Sequence, residues 1–274
     1  MTSDKNASNA NKIDLGAFRA FLFDLDGVVT KTAKVHAAAW KRLFDDYLST
    51  RAKKTGEPFK PFDSVTDYQR YVDGKPRAEG AESFLGARGI DLPIGTPDDG
   101  PDEETVNGLA NRKDRYFNDA LEHQGVEVFD GTVRFIREAR SRGLRTAIVS
   151  SSRNCKAVVA KAGLTALFDA RVDGMDALEM PLQGKPRPDT YLEAAKRVHA
   201  AADQAAIFED AVAGVEAGHA GHFRLVVGIG DGAHAADLRA HGANLVVADL
   251  GTVRLVDGRG HDTPSPERTG GRVP

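Results

Sequence analysis

Short apolar runs alternate with helical segments between Gly131 and Leu250, and this alternation limits the chain to a few architectures. Each run is long enough for a buried strand and too short for a helix on its own. The runs lie within LRTAIVSSS, ARVDG, AAIFED, RLVVGIG and NLVVADL. Strands that alternate with helices form a parallel sheet with helices on both faces. We therefore predict an α/β fold with a doubly wound parallel sheet.

A further apolar run, FRAFLFDLD, lies near the N-terminus and should join the same sheet. The segment after it is helical in pattern: apolar residues recur at helical spacing from Val35, and helices are predicted over residues 66–86 and 103–124. This predicts a helical domain inserted after the first strand. We call residues 35–125 the cap segment, and residues 1–34 with 126–274 the core segment. Residues 1–16 and 256–274 have no periodicity and are predicted to be tails.

Composition excludes several classes of protein. The 37 basic and 40 acidic residues give a net charge of −3, which argues against a nucleic-acid partner. No apolar stretch approaches the roughly 18 residues of a membrane helix, so we expect no membrane partner. The single cysteine, Cys155, excludes an intrachain disulfide. We expect a soluble, cytoplasmic, monomeric globular protein.

Polar side chains follow the predicted strands at the points where the strands end. In open α/β sheets this edge carries the active site. Carboxylates there offer the hard oxygen ligands that Mg²⁺ prefers, and hydroxyl and ammonium groups suit phosphoryl oxygens. The residue types thus indicate a magnesium and phosphate site. Its candidate members are Asp24, Asp26, Ser150, Ser151, Ser152, Lys185, Glu209 and Asp210.

Four blocks carry a family resemblance. DLDGVVT, IVSSSRN, GKPRPDTY and FEDAVAGVEAG resemble, in order, the four motifs of the haloacid-dehalogenase-like phosphotransferase superfamily. DGVVTKTAKVHAAAW and SSSRN are similar to its β-phosphoglucomutase-like subgroup. The resemblance covers about residues 18–250 and implies a Rossmann-like core with an inserted helical cap that closes over the site and excludes water.

The resemblance implies roles at the reacting centre. Asp24 matches the nucleophile that forms an aspartyl-phosphate, and Asp26 matches the general acid/base. Ser150 and Lys185 match the groups that hold the transferring phosphoryl group. The implied Mg²⁺ ligands are Asp24, the carbonyl of Asp26, Glu209 and Asp210. His36 matches a residue that assists proton transfer and cap closure, although a histidine among apolar neighbours is commonly a packing residue.

The resemblance also implies a grip on a second, non-reacting phosphate. Ser152, Arg153 and Asn154, with the adjacent Ser151, match the phosphate loop of the subgroup, and Arg77 in the cap segment matches its distal-phosphate arginine. Lys31 departs from the pattern, because relatives commonly have an acid there. The cap segment is longer than that of the shortest mutases and resembles a bacterial group associated with disaccharide catabolism, which favours a glucose 1-phosphate.

We therefore expect a Mg²⁺-dependent phosphomutase that interconverts β-D-glucose 1-phosphate and glucose 6-phosphate through a sugar bisphosphate. A bisphosphate that turns over in the site needs a holder for each phosphate, and this favours a mutase. The alternative is a phosphatase of a sugar phosphate or another small phosphomonoester. A dehalogenase and a catalytically silent binding protein remain more distant alternatives.

Overall fold

The computed structural model describes residues 11–257 and contains a six-stranded parallel sheet in the order β4-β3-β2-β5-β6-β7. The strands are β1 (Lys12–Asp14), β2 (Ala20–Asp24), β3 (Arg145–Val149), β4 (Ala170–Val172), β5 (Ala205–Glu209), β6 (Leu225–Ile229), β7 (Leu245–Val247) and β8 (Arg254–Val256). The helices are α1 (Ala33–Thr55), α2 (Arg77–Ala87), α3 (Val106–Gln124), α4 (Asp130–Ser141), α5 (Cys155–Lys161), α6 (Asp176–Glu179), α7 (Asp189–Arg197), α8 (Val212–Ala220) and α9 (Gly232–Ala240). The predicted α/β fold with a doubly wound parallel sheet is confirmed.

Strand β2 lies at the centre of the sheet, between β3 and β5. Its residues are buried throughout, as expected for a parallel strand covered on both faces. Phe21 and Phe23 pack on one face with Phe135 and Phe208, whereas Leu22 belongs to the apolar cluster on the other face. Burial on both faces explains why the run FLF has no alternation of polar and apolar residues.

Strand register brings the polar ends of the strands to one edge. Asp24 pairs with Val149 of β3, and Phe23 pairs with Phe208 of β5. Glu209, the last residue of β5, and Ser150, the first residue after β3, therefore lie beside Asp24. The predicted convergence at the carboxyl edge follows directly from parallel pairing.

The cap segment has an apolar cluster of its own. Helices α1 and α3 pack together, and Phe44 of α1 lies 4.1 Å from Phe84 of α2 between ring centroids. Ala39, Phe117 and Leu121 join the core cluster instead, so the two ends of the cap segment lie against the core. The domain limits predicted from the sequence stay a prediction.

Two local expectations are wrong, and the first concerns the tails. Lys12–Asp14 and Arg254–Val256 form a two-stranded parallel sheet. The N-terminal tail therefore does not extend to residue 16, and the C-terminal tail does not begin at residue 256. Three-residue strands are too short to leave a periodic pattern, and their partners are distant in sequence. The remainder of the predicted tails, residues 1–10 and 258–274, lies outside the described residues.

The second wrong expectation is the continuous helix predicted over residues 66–86, because the helix is interrupted. A π-helical turn over Tyr68–Val72 ends at Asp73, and α2 begins only at Arg77. Gly74 has a left-handed φ of 69°, and Pro76 has no backbone N–H to continue a helix. Within residues 11–257, no helix combines the length and the apolar character needed to cross a membrane.

Candidate active site

Three carboxylates form an acidic cluster at the carboxyl edge of the sheet. Asp24, Glu209 and Asp210 each offer an oxygen, and these atoms lie within 4.8 Å of one another. Gly27 makes room for the cluster, because a Cβ there would lie 1.7 Å from Asp210 Oδ2. A set of hard oxygen donors at this spacing fits Mg²⁺. The carboxylate of Asp26 lies outside the cluster, which leaves its carbonyl as the group that it could offer.

Lys185 is a buried counter-ion of this cluster. Its Nζ lies 2.5 Å from Asp24 Oδ1 and also donates to Glu209 Oε1. Burial disfavours the ammonium, but the charges of Asp24 and Glu209 outweigh it and raise the pKa of Lys185. Burial raises the pKa of Asp24, and the charges of Glu209 and Asp26 add to this while Lys185 opposes it.

Glu209 is held by several donors in a fully buried position. In addition to Lys185, it accepts from Tyr191 Oη at 2.9 Å and from the backbone N–H of Ala211 at 3.0 Å. A Cβ at Gly214 would lie 1.7 Å from Glu209 Oε1, so glycine is needed there too. A carboxylate offers about four lone pairs, and three are engaged, so one remains for a metal ion. Tyr191 was not predicted from the sequence, although it lies within the GKPRPDTY block.

Asp26 is surrounded by hydroxyl groups and an imidazole instead of an ammonium. Thr32 donates to its Oδ1, His36 Nε2 lies 3.3 Å from the same oxygen, and Ser150 Oγ lies 3.4 Å from Oδ2. Burial tends to raise the pKa of Asp26, but His36, Thr32 and Lys113 together lower it to about 2. The Asp26 carboxylate is therefore ionised at neutral pH and able to accept a proton.

Lys113 fixes the tautomer of His36. The ammonium has no lone pair, so at 2.5 Å from His36 Nδ1 it donates and the ring nitrogen accepts. The ring proton then lies on Nε2, which faces Asp26. Burial and the charge of Lys113 lower the pKa of His36, and burial lowers that of Lys113 to about 8. The ring of His36 also stacks on Phe117 at 3.9 Å between centroids, so both interpretations of this histidine have structural support.

Lys113 is a site residue that was not predicted from the sequence. It lies on the buried stripe of α3, between Leu109 and Phe117. A lysine in the apolar stripe of an amphipathic helix is the signal that could have identified it, because a lone buried ammonium is costly.

The predicted phosphate loop contacts the cap segment. Ser151 Oγ donates to the carbonyl of Gly74 at 2.7 Å, and Ser152 Oγ accepts from the backbone N–H of Asn154 at 3.1 Å. Asn154 Nδ2 donates to Asp114 Oδ1 on α3 at 2.8 Å. Arg77 of α2 lies 2.7 Å from the same oxygen through Nη1. Asp114 was not predicted from the sequence.

A cavity of about 60 Å³ lies between the two segments. Its wall carries most of the predicted residues together with the unpredicted Tyr68, Asp73, Lys113 and Asp114. Lys185, Glu209 and Asn154 lie behind this wall, and each contacts a residue that lines it. The predicted residues on the wall are Asp24, Asp26, His36, Arg77, Ser150, Ser151, Ser152, Arg153 and Asp210.

Two charged residues, Asp73 and Lys31, differ in their distance from the cavity. Asp73, next to the acidic cluster, has its pKa raised to about 6 by burial and by the charge of Glu209. Lys31 lies outside the cavity wall and forms an exposed ion pair with Glu127 at 3.1 Å. Lys31 therefore does not contribute charge at the cavity surface.

The fold and the acidic site define a class of α/β enzymes that handle phosphoryl groups. The family model of haloacid dehalogenase-like hydrolases matches residues 18–222, and the chain belongs to this family. It is an enzyme, an isomerase or a hydrolase, and the alternative of a silent binding protein is wrong.

Several proteins similar to this chain act on phosphorylated sugars according to their names. The β-phosphoglucomutase of Mycobacterium bovis is 51% identical over 235 residues, covering 85% of this chain and 90% of the relative. The crystal structure of a β-phosphoglucomutase from Clostridium difficile matches with a TM-score of 0.68 and 25% identity, covering 86% of this chain and 93% of that one. A phosphorylated carbohydrates phosphatase of Thermotoga maritima is 25% identical over 211 residues, covering 77% of this chain and 84% of the relative.

Proposed function

We propose that the enzyme is a phosphomutase that interconverts β-D-glucose 1-phosphate and glucose 6-phosphate, with Mg²⁺ as its cofactor. The observation that carries the proposal is a cavity whose wall holds two groups of residues, Asp24 with Ser150 and Arg77 with Arg153. A bisphosphate intermediate needs a holder for each phosphate, and each group would supply one. Similarity to the β-phosphoglucomutase of M. bovis supports the same reaction.

Each half-reaction would use the same two carboxylates. Lys185 engages Asp24 Oδ1, so Oδ2 is the oxygen left to carry the phosphoryl group. A sugar hydroxyl attacks the phosphorus of phospho-Asp24, the P–O bond to Asp24 breaks, and the hydroxyl proton passes to Asp26. In the reverse sense, Asp24 attacks the other phosphate of the bisphosphate, and Asp26 returns its proton to the departing sugar oxygen.

The acidic cluster would hold the metal ion through Asp24, Glu209, Asp210 and the carbonyl of Asp26. When bound there, Mg²⁺ supplies positive charge for the non-bridging phosphoryl oxygens. Lys185 supplies a second positive charge from the protein itself. Together they would compensate the negative charge of the acidic cluster and of the incoming phosphate.

The small cavity supports movement of the cap segment in each cycle. Its volume of about 60 Å³ is far below the roughly 300–1,000 Å³ of ordinary ligand pockets. Substrate entry would require residues 35–125 to move away from the core, and closure would exclude water from the phosphoenzyme. Exclusion of water is what separates a mutase from a phosphatase on this fold.

The deciding experiment is a coupled assay. The enzyme receives Mg²⁺, β-D-glucose 1-phosphate and a trace of glucose 1,6-bisphosphate, while glucose 6-phosphate and free phosphate are followed in parallel. Glucose 6-phosphate with little free phosphate is the expected result. Free phosphate without glucose 6-phosphate would show that the enzyme is a phosphatase, the alternative that the T. maritima relative favours.

A substitution of Arg77 provides a second test between a mutase and a phosphatase. Arg77→Ala should sharply reduce turnover of β-D-glucose 1-phosphate if Arg77 holds the distal phosphate. Arg115→Ala is the control, because Arg115 lies on α3, is exposed and forms a solvent-exposed ion pair with Asp102 at 3.8 Å. Unchanged turnover in Arg77→Ala would remove the distal-phosphate argument for a mutase. The cytoplasmic location and the monomeric state stay predictions.

A further inference from the structure

One carboxylate oxygen of the cap segment contacts both Arg77 and the predicted phosphate loop. Asp114 Oδ1 lies 2.7 Å from Arg77 Nη1 and 2.8 Å from Asn154 Nδ2. Both side chains of the ion pair are largely buried, with 16% of Arg77 and 23% of Asp114 exposed. The pair is therefore less screened by water than a surface ion pair.

Both partners of Asp114 belong to the set that the resemblance assigns to the distal phosphate. A carboxylate and a phosphate are acceptors for the same kinds of donor, a guanidinium and an amide N–H. Asp114 itself lines the cavity together with Arg77 and Arg153. Asp114 therefore places on these donors a negative charge of the kind that a phosphate would bring.

The guanidinium groups of Arg77 and Arg153 line the cavity together with Asp114 and offer donors for another anion. Lys113 lies against His36 instead, and the charges of Asp114 and Asp98 both act on Arg153. Arg77 Nε and Nη1 are buried and neither makes a hydrogen bond within residues 11–257, whereas Nη2 donates to Asn111 Oδ1 at 2.8 Å. Burial, and next the charge of Arg77, lower the pKa of Arg153, which reflects repulsion between the two guanidinium groups. An added phosphate would relieve this repulsion.

We propose that Asp114 is a positioning residue that holds Arg77 and Asn154 together in the ligand-free enzyme, and that the distal phosphate of the substrate competes with it for these donors. The proposal rests on the proposed function, because it takes the distal phosphate from that reaction. An unphosphorylated sugar has no charge with which to displace Asp114. Asp114 would thus make the opening of this contact depend on a phosphorylated substrate.

Two substitutions separate the charge of Asp114 from its hydrogen bonds. Asp114→Asn keeps an oxygen that can accept from Asn154 but removes the charge that pairs with Arg77, whereas Asp114→Ala removes both. Asp119→Asn is the matched control, since Asp119 is exposed on the same helix and forms no ion pair in the described part of the chain. Urea unfolding of each variant first establishes that it is folded.

The first readout needs no catalysis. Hydrogen exchange in the ligand-free enzyme should be faster in Asp114→Ala across residues 151–154 and the start of α2, intermediate in Asp114→Asn, and unchanged in Asp119→Asn. Unchanged exchange in Asp114→Ala would overturn the proposed contact between cap and core. Because no substrate is present, this result is independent of whether the enzyme is a mutase or a phosphatase.

The second readout is the Kd for β-D-glucose 1-phosphate, measured by calorimetry on the Mg²⁺-free enzyme. Loss of a competing carboxylate should tighten binding by about fivefold in Asp114→Asn, the scale expected for a partly screened ion pair. A purely structural role would leave binding unchanged or weaken it, and either outcome would overturn the competition. A failed mutase assay with tighter binding in Asp114→Asn would refute the proposed function but not the role of Asp114.

Discussion

Lys113 Nζ lies 2.5 Å from His36 Nδ1, and it thereby directs the ring proton of His36 toward Asp26. The lysine is on α3 and the histidine is on α1, 77 positions apart in the sequence. Through this pair, the position of α3 influences which ring nitrogen of His36 carries the proton that faces the proposed acid/base, Asp26. A movement of α3 would therefore alter the proton affinity of Asp26.

Lys113→Met should separate activity from stability. Without the ammonium, His36 is no longer held in one tautomer, and we expect kcat/KM to fall by about 100-fold. The midpoint of urea unfolding should not fall, because a buried charge is replaced by an apolar chain of similar length. Lys34→Met, at an exposed position of α1, serves as the control. A loss of activity that merely follows a loss of stability would contradict this role.

Gly27 should be essential for a steric reason. A Cβ there would lie 1.7 Å from Asp210 Oδ2, so Gly27→Ala should displace the carboxylate and reduce kcat by at least about 100-fold. Gly56→Ala is a matched control, because Gly56 also has a left-handed φ, 78°, and a Cβ added there would meet no atom within 4 Å. Both substitutions share a backbone strain of about 1 kcal/mol. Equal activity losses in the two variants would point to strain instead of the contact with Asp210.

Asp73 should make stability depend on pH in the metal-free protein. Its pKa is about 6 in the folded state against 3.8 as the ordinary value. The folded state binds this proton more tightly than the unfolded state does. The contribution of Asp73 to the free energy of unfolding is therefore fully present below pH 3.8 and is lost as the pH rises through 6. Asp73→Asn should therefore be more stable than the wild type by about 3 kcal/mol at pH 7.5, with little difference near pH 3.8. Urea unfolding with EDTA at both pH values provides the measurement, and a gain that is equal at the two would refute the assignment.

Mg²⁺ should stabilise the protein through the acidic cluster. Burial, and then the charges of Asp73, Asp24 and Glu209, raise the pKa of Asp210, so a divalent ion would relieve a real electrostatic cost. Saturating Mg²⁺ should raise the Tm of the wild type, and ion binding at 100 times Kd would contribute about 2.7 kcal/mol. In Asp210→Asn the increase should be absent, whereas Asp203→Asn, at an exposed position, should keep it. An equal rise in all three proteins would place the ion elsewhere.

Local sequence patterns were enough to predict the sheet and its acidic edge. Buried runs such as Ala20–Phe23 specify strands through local hydrophobicity, and parallel pairing then places Asp24, Ser150 and Glu209 at one edge without further information. Which cap residues reach that edge depends on how the helices pack in the folded chain. Lys113 and Asp114 join the site through the packing of α3 against α1 and against the phosphate loop, an arrangement that depends on side-chain contacts between distant segments. The pairing of Lys12–Asp14 with Arg254–Val256 is of the same kind, since a three-residue strand has no periodic pattern and gains its stability only from a partner at the other end of the chain.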